Sequence, residues 1–308
     1  MSAPARLVVI LGPTAAGKSA LGIYLAEKFG GEILVCDSTQ VYRHFDIGTA
    51  KVPPAEQRGI PHHLVDLVEP QDIFTAGDYR RRALTALEDV RSRGKLPILT
   101  AGTGLYLRAL IEGLADAPTR SEELRGRLRE KAEARGPAHL HRILARLDPE
   151  AAGRIAPRDT QKVIRAIEMR VIGGKPVGEI HRGGREGLEG YEVRKIGLLP
   201  ARAALYARIE ERVEVMLAAG WIEEVRQLIT SGVAQNAKPF QFIGYAELRA
   251  HLQGKLTRTE AIQRIQQATR RFAKRQITWF RKEAGVHWLE GFGDDPEIDV
   301  EAARLLES

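Results

Sequence analysis

Residues Gly12-Pro13-Thr14-Ala15-Ala16-Gly17-Lys18-Ser19 directly follow the apolar run Leu7–Leu11 and open into a segment with helical spacing. This is a G-x-x-x-x-G-K-[ST] loop in its strand–loop–helix setting, and it commits the start of the chain to a parallel α/β arrangement. Glycines at both ends let the backbone curl so that successive N–H groups point inward, and the helix dipole adds partial positive charge. Lys18 brings a full charge to the outer phosphates, and the Ser19 hydroxyl is placed to ligate Mg²⁺. A chance glycine-rich turn would not require pattern, strand and helix all to agree. The loop is expected to grip a di- or triphosphate group.

Alternation continues downstream. Ile33–Cys36 reads as a second short buried strand ending at Asp37, and Pro97–Thr100 as another, delivering Ala101-Gly102-Thr103-Gly104. Thr75–Ser92 has helical spacing, with Tyr79, Ala83, Ala86, Leu87 and Val90 on one face. The prolines and glycine between Arg43 and Glu69 predict mostly loop there. Ligands gather beyond the carboxyl ends of strands in open α/β sheets, so residues 12–19, Asp37 and Thr103 are expected to share one rim. The expected fold class is α/β: a P-loop NTPase-like parallel sheet flanked by helices, with a smaller all-helical insertion.

The insertion is read from a change of character. From Ser121 to about Ile172 the chain is charged, arginine-rich and helical in pattern; a glycine-rich stretch follows (Gly173, Gly174, Gly178, Gly183, Gly184, Gly187, Gly190), and Tyr191–Leu199 returns as a strand. The expected division is a core at 1–114, a helical insertion at 115–190 with a glycine-rich exit suited to hinge or surface loop alike, and the remaining core at 191–308. After Pro200, Leu205, Ile209, Val213, Met216 and Leu217 mark an amphipathic helix stopped by Gly220.

Net charge is +7, and seven basic residues with no acid lie between Arg264 and Lys282, which leaves the remainder of the chain balanced. In that segment Ile265, Ala268, Phe272 and Trp279 fall within roughly a 60° arc at 100° per residue, flanked by basic side chains. Such a concentrated cationic helix points to a polyanionic partner. If most of these residues met phosphates, log K would fall against log salt with a slope of roughly −5 to −6. The single cysteine, Cys36, rules out an internal disulfide framework and fits a reducing, cytoplasmic setting; its place in an apolar run reads as a buried strand thiol. Residues 1–6 carry no signal-like apolar core, and no apolar run approaches the ~18 residues a membrane span needs.

Asp37 is the most consequential carboxylate. It could accept a proton, support Mg²⁺ as an acid after an apolar strand does in many P-loop proteins, or cap a helix. The Thr103 hydroxyl could meet a phosphate oxygen, or Gly-Thr-Gly could be only a tight turn. His62-His63 lacks metal spacing and reads as a loop pair. There is no G-x-S-x-G elbow and no G-x-G-x-x-G after a strand, which argues against a triad hydrolase and a nicotinamide site.

Taken together, these segments resemble the tRNA dimethylallyltransferase family along nearly the whole chain. The matching stretches are Gly12–Ser19, Asp37–Arg43, Asp46–Lys51, His62–Asp66, Gly102–Tyr106, Asp159–Glu168, Phe242–Glu247 and Ala273–Arg281. Ala101 stands where the family often has glycine, and Arg158 where asparagine commonly precedes the aspartate. The resemblance implies transfer of a dimethylallyl group from dimethylallyl diphosphate to N6 of the adenosine 3′-adjacent to the tRNA anticodon, with Mg²⁺ as cofactor and a monomeric enzyme.

Under that resemblance residues 12–19 (Gly12, Pro13, Thr14, Ala15, Ala16, Gly17, Lys18, Ser19) bind the donor diphosphate, joined by Arg208 or Arg212. Asp37 takes the N6 proton, Thr103 contacts the donor's bridging oxygen, and Lys18 completes the catalytic set. Contacts to tRNA fall to Asp37, Ser38, Thr39, Gln40, Thr103, Arg125, Gln161, Lys162, Val163, Ile164, Arg165, Phe240, Gln241, Phe242, Ile243, Gly244 and Tyr245. The basic helix adds Arg271, Lys274 and Arg275. The main rival is a small-molecule kinase using the same loop for ATP; a second is a non-catalytic, nucleotide-switched RNA-binding protein.

Overall fold

A computed structural model describes residues 4–182 and 185–307 of the chain. Gly183 and Gly184 of the glycine-rich stretch lie outside the described residues, as do residues 1–3. The chain divides into two compact units, one made of residues 1–110 and 189–308, the other of residues 111–188.

The first unit is built on strands β1 (Ala5–Leu11), β2 (Gly31–Cys36), β3 (His62–His63), β4 (Leu96–Ala101), β5 (Tyr191–Leu198) and β6 (Val286–Leu289). They form a sheet in the order β3-β2-β4-β1-β5-β6, and every pairing is parallel. Leu7–Leu11 and Ile33–Cys36 are continuous apolar runs because central parallel strands are covered on both faces. Helix α1 (Lys18–Phe29) packs Leu21, Leu25 and Ala26 into the same cluster as Val8, Ile10, Ile33 and Ile98. Helix α2 (Ala76–Ser92) begins at a Thr75–Asp78 capping box and buries Tyr79, Ala83, Leu87 and Val90. Helix α3 (Gly104–Ile111) follows β4 directly.

Register positions the functional edge. Ala101 of β4 pairs with both Leu11 of β1 and Cys36 of β2. Gly12, Asp37 and Gly102 therefore leave the sheet at one level, as the strand endings predict.

The second unit is helical: α4 (Glu122–Arg135), α5 (Pro137–Leu147), α6 (Pro149–Arg154), α7 (Thr160–Gly173) and α8 (Val177–Arg182). Leu128, Leu140, Leu144, Val163, Ile167 and Ile180 form its core. Two buried carboxylates sit inside it: Asp148, which accepts from the Ala151 (2.9 Å) and Val177 (2.7 Å) amides, and Glu168. Glu168 has no exposed surface and accepts hydrogen bonds from Arg125 (2.7 and 2.8 Å), Arg165 (2.5 Å) and the Ser121 amide (2.8 Å). Burial alone would raise its pKa, but those hydrogen bonds outweigh burial and hold it at about 2.

The chain then returns to the first unit through β5, α9 (Arg202–Ala218), α10 (Trp221–Thr230), α11 (Tyr245–Leu252), the basic helix α12 (Arg258–Phe280), β6 and α13 (Pro296–Glu307). Three expectations need correcting. His62-His63 is not a loop pair but edge strand β3; His63 Nε2 lies 2.7 Å from the buried Glu32. The packed face of α12 runs through Ile265, Ala273, Gln276 and Phe280, while Trp279 is 39% exposed with Arg108 over its ring. A polar residue, Gln276, displaces the aromatic from the buried stripe because the surface beneath it offers backbone hydrogen-bonding groups. Finally, β6 and α13 complete the sheet edge and the core, and neither was expected from the sequence.

Candidate active site

The phosphate loop takes its shape from backbone conformations that most residues avoid. Gly17 (φ 86°) and Ala15 (φ 63°) both sit in the left-handed region, which turns successive amides toward one concavity. Lys18 Nζ donates to the carbonyls of Gly12 (3.0 Å) and Pro13 (2.8 Å). Burial pulls its pKa down to about 8, partly opposed by Asp37 and reinforced by the nearby Arg212. The outer side of the loop is sealed by residues 291–295. Gly293 donates its amide to the Ala16 carbonyl at 2.8 Å, and a Cβ on Gly17 would stand 2.6 Å from Gly293 N.

Asp37 stands at the adjoining strand end. Its Oδ1 accepts from the Thr39 amide (2.8 Å) and the Thr39 hydroxyl (2.6 Å). It thus caps a turn, and no helix starts there. Gly102 and Thr103 both donate their amides to the Cys36 carbonyl at 3.0 Å, which folds the β4 exit against Asp37. A Cβ on Gly102 would lie 2.7 Å from Asp37 Oδ2, so only glycine leaves room for that oxygen. Thr103 Oγ1 accepts from the Ser38 amide at 3.0 Å, which places the hydroxyl beside the carboxylate. Cys36 is wholly buried, and burial pushes its thiol up to about 12, so it is chemically quiet.

A second layer supports this edge. Gln40 Nε2 donates to the carbonyls of Thr49 (3.0 Å) and Ala50 (3.2 Å). The loop carrying those carbonyls is held by Glu224, which accepts from the amides of Asp46 (3.0 Å) and Ile47 (2.8 Å) and from the Tyr245 hydroxyl (2.6 Å). Tyr245 accepts in turn from the Gly48 amide at 3.1 Å.

These elements enclose a cavity of about 1210 Å³. Thr14–Ser19, Asp37–Gln40, Arg208, Arg212, Gln241–Ile243 and Arg275 line it, together with apolar Ile33, Val35, Val52 and Val65. The two candidate arginines differ in their partners. Arg208 makes a bidentate pair with Asp294 (2.5 and 2.7 Å) and stacks on Phe292. Arg212 is partly buried in the cavity wall and has no salt bridge among the described residues; burial and Arg208 lower its pKa.

Other expected site residues lie elsewhere. Phe240 and Tyr245 are buried supports, and Gly244 packs against the Trp221 ring. Arg271 and Lys274 are exposed on α12 outside the cavity. In the helical unit Gln161 and Lys162 are exposed, whereas Arg125 and Arg165 close on Glu168. Val163 and Ile164 belong to the core, so their side chains are unavailable for the RNA contact expected of them; their positions on α7 face its neighbouring helices.

Sequence reasoning missed Glu224, Asp294 and Gln276. Gln276 Oε1 accepts from the Thr14 amide at 2.8 Å, and its Nε2 donates to the Gly102 carbonyl at 2.7 Å.

Comparison with known proteins decides the family. A family model described as IPP transferase matches residues 40–283. The chain belongs to the IPP transferase family. Within that family it is 50% identical to the tRNA dimethylallyltransferases of Solibacter usitatus (95% of each chain) and Koribacter versatilis (98% of each). Among solved structures it resembles the full-length tRNA isopentenylpyrophosphate transferase of Bacillus halodurans, with a TM-score of 0.71 at 38% identity over 98% of this chain and 97% of that one. It also resembles a eukaryotic dimethylallyltransferase captured acting on tRNA, with a TM-score of 0.82 at 30% identity over 97% of this chain and 77% of that one. The IPP transferase match starts at Gln40, so the phosphate loop and Asp37 join the family's segment through the shared cavity.

Proposed function

We propose that this chain is a tRNA dimethylallyltransferase: it moves a dimethylallyl group from dimethylallyl diphosphate to N6 of the adenosine 3′-adjacent to the anticodon and releases pyrophosphate. One observation carries the reading. A cradle of amides with two cations, Lys18 and Arg212, that have no carboxylate partner among the described residues opens on the same cavity as the Asp37 carboxylate.

The chemistry needs that pairing. An exocyclic adenine amine is a weak nucleophile because its lone pair is delocalised into the ring. As N6 bonds to C1 of the donor, the C1–O bond breaks and pyrophosphate carries away the electron pair. Asp37 takes the N6 proton, an acid–base contribution of about two to four orders of magnitude. The Thr39 bonds to Oδ1 keep the carboxylate oriented, and Asp37 lines the cavity. Lys18, Arg212 and the loop amides stabilise the leaving group, which is electrostatic assistance to pyrophosphate as it gains a further negative charge. Thr103 donates to the bridging oxygen. Arg212 takes the place beside the diphosphate, because Arg208 already holds Asp294.

The residues present fit Mg²⁺ in one way. No group of three or more His, Cys, Asp or Glu side chains gathers among the described residues, but the Ser19 hydroxyl borders the cavity next to the cradle. A hard cation held mainly by diphosphate oxygens and water needs few protein ligands. Bound there, Mg²⁺ would supply further neutralisation of the leaving group, with Ser19 as its protein ligand.

The acceptor base leaves its stack at a cost of about a few kcal/mol, less in a loop. The exposed Arg271, Lys274 and Arg275 of α12 offset that cost by holding the RNA backbone. No helix among the described residues is long and apolar enough to cross a membrane.

The test is mass analysis of nucleosides from tRNA incubated with protein, Mg²⁺ and dimethylallyl diphosphate, beside a parallel reaction with γ-labelled ATP. N6-dimethylallyl adenosine from the first reaction supports the reading. Phosphate transfer without prenylation would replace it with the kinase alternative.

A further inference from the structure

Among the described residues, Gln276 is the only side chain of α12 that hydrogen-bonds both the phosphate loop and the β4 exit. It is 6% exposed in the middle of a basic helix, where burying a primary amide is costly unless every polar edge finds a partner. Here each edge has one. The oxygen meets an N–H and the nitrogen meets a carbonyl, so a flipped amide would set like against like at both ends.

The two groups it joins belong to different halves of the reaction. Thr14 is in the donor cradle; Gly102 precedes Thr103 and presses against Asp37 Oδ2. No other bond among the described residues ties the tip of the phosphate loop to the 101–104 turn. The neighbours Phe272 and Arg275 line the cavity, while Arg271 and Lys274 face outward from the same helix.

We propose that Gln276 is a positioning residue: one buried amide sets the gap between the diphosphate cradle and the Asp37–Thr103 edge, and fixes that gap to the helix that meets RNA. This inference rests on the proposed transferase reading. A consequence is specific to it. The Thr14 N–H belongs to Gln276 rather than to the donor, so the cradle grips diphosphate with the later amides of the loop.

Two measurements test the assignment. Amide hydrogen exchange on the wild-type chain, with and without inorganic pyrophosphate and Mg²⁺, should find Thr14 already protected and unchanged on addition, while Gly17 and Lys18 gain protection. In Gln276→Leu, which keeps the volume and removes both bonds, Thr14 should exchange freely before ligand is added. Turnover should fall about 100-fold, the scale expected for a misplacement of about 1 Å, with the KM for an anticodon stem-loop RNA within twofold of wild type. Thr14 protection that arises only with pyrophosphate overturns the proposal, and so does a folded Gln276→Leu with turnover within threefold of wild type. A loss confined to RNA affinity overturns it too, by moving Gln276 to the RNA-binding surface. Should Gln276→Leu not fold, the wild-type exchange measurement decides alone. Failure of the transferase reading is separate: wild-type protein would form no prenylated adenosine, whatever Thr14 does.

Discussion

In the helical unit Arg125 and Arg165 close on a single carboxylate, Glu168, whereas at the sheet rim Lys18 and Arg212, partly buried in the cavity wall, meet no carboxylate at salt-bridge distance among the described residues. The chemistry of burial is the same in both places. An enclosed charge is costly unless paired and hydrogen-bonded. Glu168 settles the cost internally and fixes α4 against α7. The rim leaves it unsettled, so its most favourable partner is an anion arriving from solution. Pairing marks a structural charge, and its absence marks a binding site.

The largest expected effect comes from the rim's own carboxylate. Asp37→Ala should lower turnover by about two to four orders of magnitude while the melting temperature stays near wild type; nucleoside mass analysis and thermal melting check the two halves of that statement. Wild-type turnover would remove the proton-acceptor role. In the other unit Glu168→Ala should destabilise the fold by about 3 kcal/mol, because it leaves the partly buried Arg125 guanidinium without its carboxylate and removes the hydrogen bonds from Arg165 and Ser121. Denaturant titration reads that loss, and donor KM in the surviving folded protein should not move. If activity falls while stability holds, Glu168 is not the structural hub described.

Next in size, Arg212→Ala should raise the KM for dimethylallyl diphosphate about 10- to 100-fold, the value of one or two charge-assisted hydrogen bonds. Arg208→Ala should do less, since Arg208 already has Asp294. The reverse order would exchange their roles.

The smallest effects are in pH, and the two units show them in separate ranges, alkaline at the rim and acidic in the helical unit. With Lys18 held at about 8, donor affinity should be flat below that pH and weaken as pH rises through it. Because the folded-state pKa is depressed, folding stability should rise over the same alkaline range as the buried charge is lost. Lys18→Arg should flatten the alkaline limb in a pH series of donor binding. For Glu168, held at about 2, stabilisation is complete above the ordinary glutamate range and drains as pH falls toward 2. Acid unfolding monitored with and without Glu168→Gln measures that share.

Much of this was legible in the chain. The phosphate loop, the strand endings at Leu11, Cys36 and Ala101, and the Thr75 start of α2 are local patterns whose meaning does not depend on distant residues. What was missed depends on partners far away in sequence. Glu224 reads as one more surface acid on an amphipathic helix until the loop at 46–48 folds onto it. Gln276 sits among arginines and lysines, and only the backbone groups beneath it explain its burial. The strand β3 is two residues long and exists because β2 offers an edge; β6 is four residues with no run of alternation to reveal it. Val163 and Ile164 were grouped with RNA-contacting neighbours by a motif, although their apolar side chains follow the helical period of a core.

The order of the sheet also has a consequence for how the chain is made. On a ribosome β1, β2, β3 and β4 emerge and can pair before the helical unit is synthesised, but the remaining edge of β1 waits for β5, which follows it. At about 5–20 residues per second, that wait exposes the row of unpaired backbone groups along Leu7–Leu11 for several seconds. Unpaired strand edges invite association with other chains. A nascent-chain holdase would shield that edge of β1 until β5 arrives to pair with it.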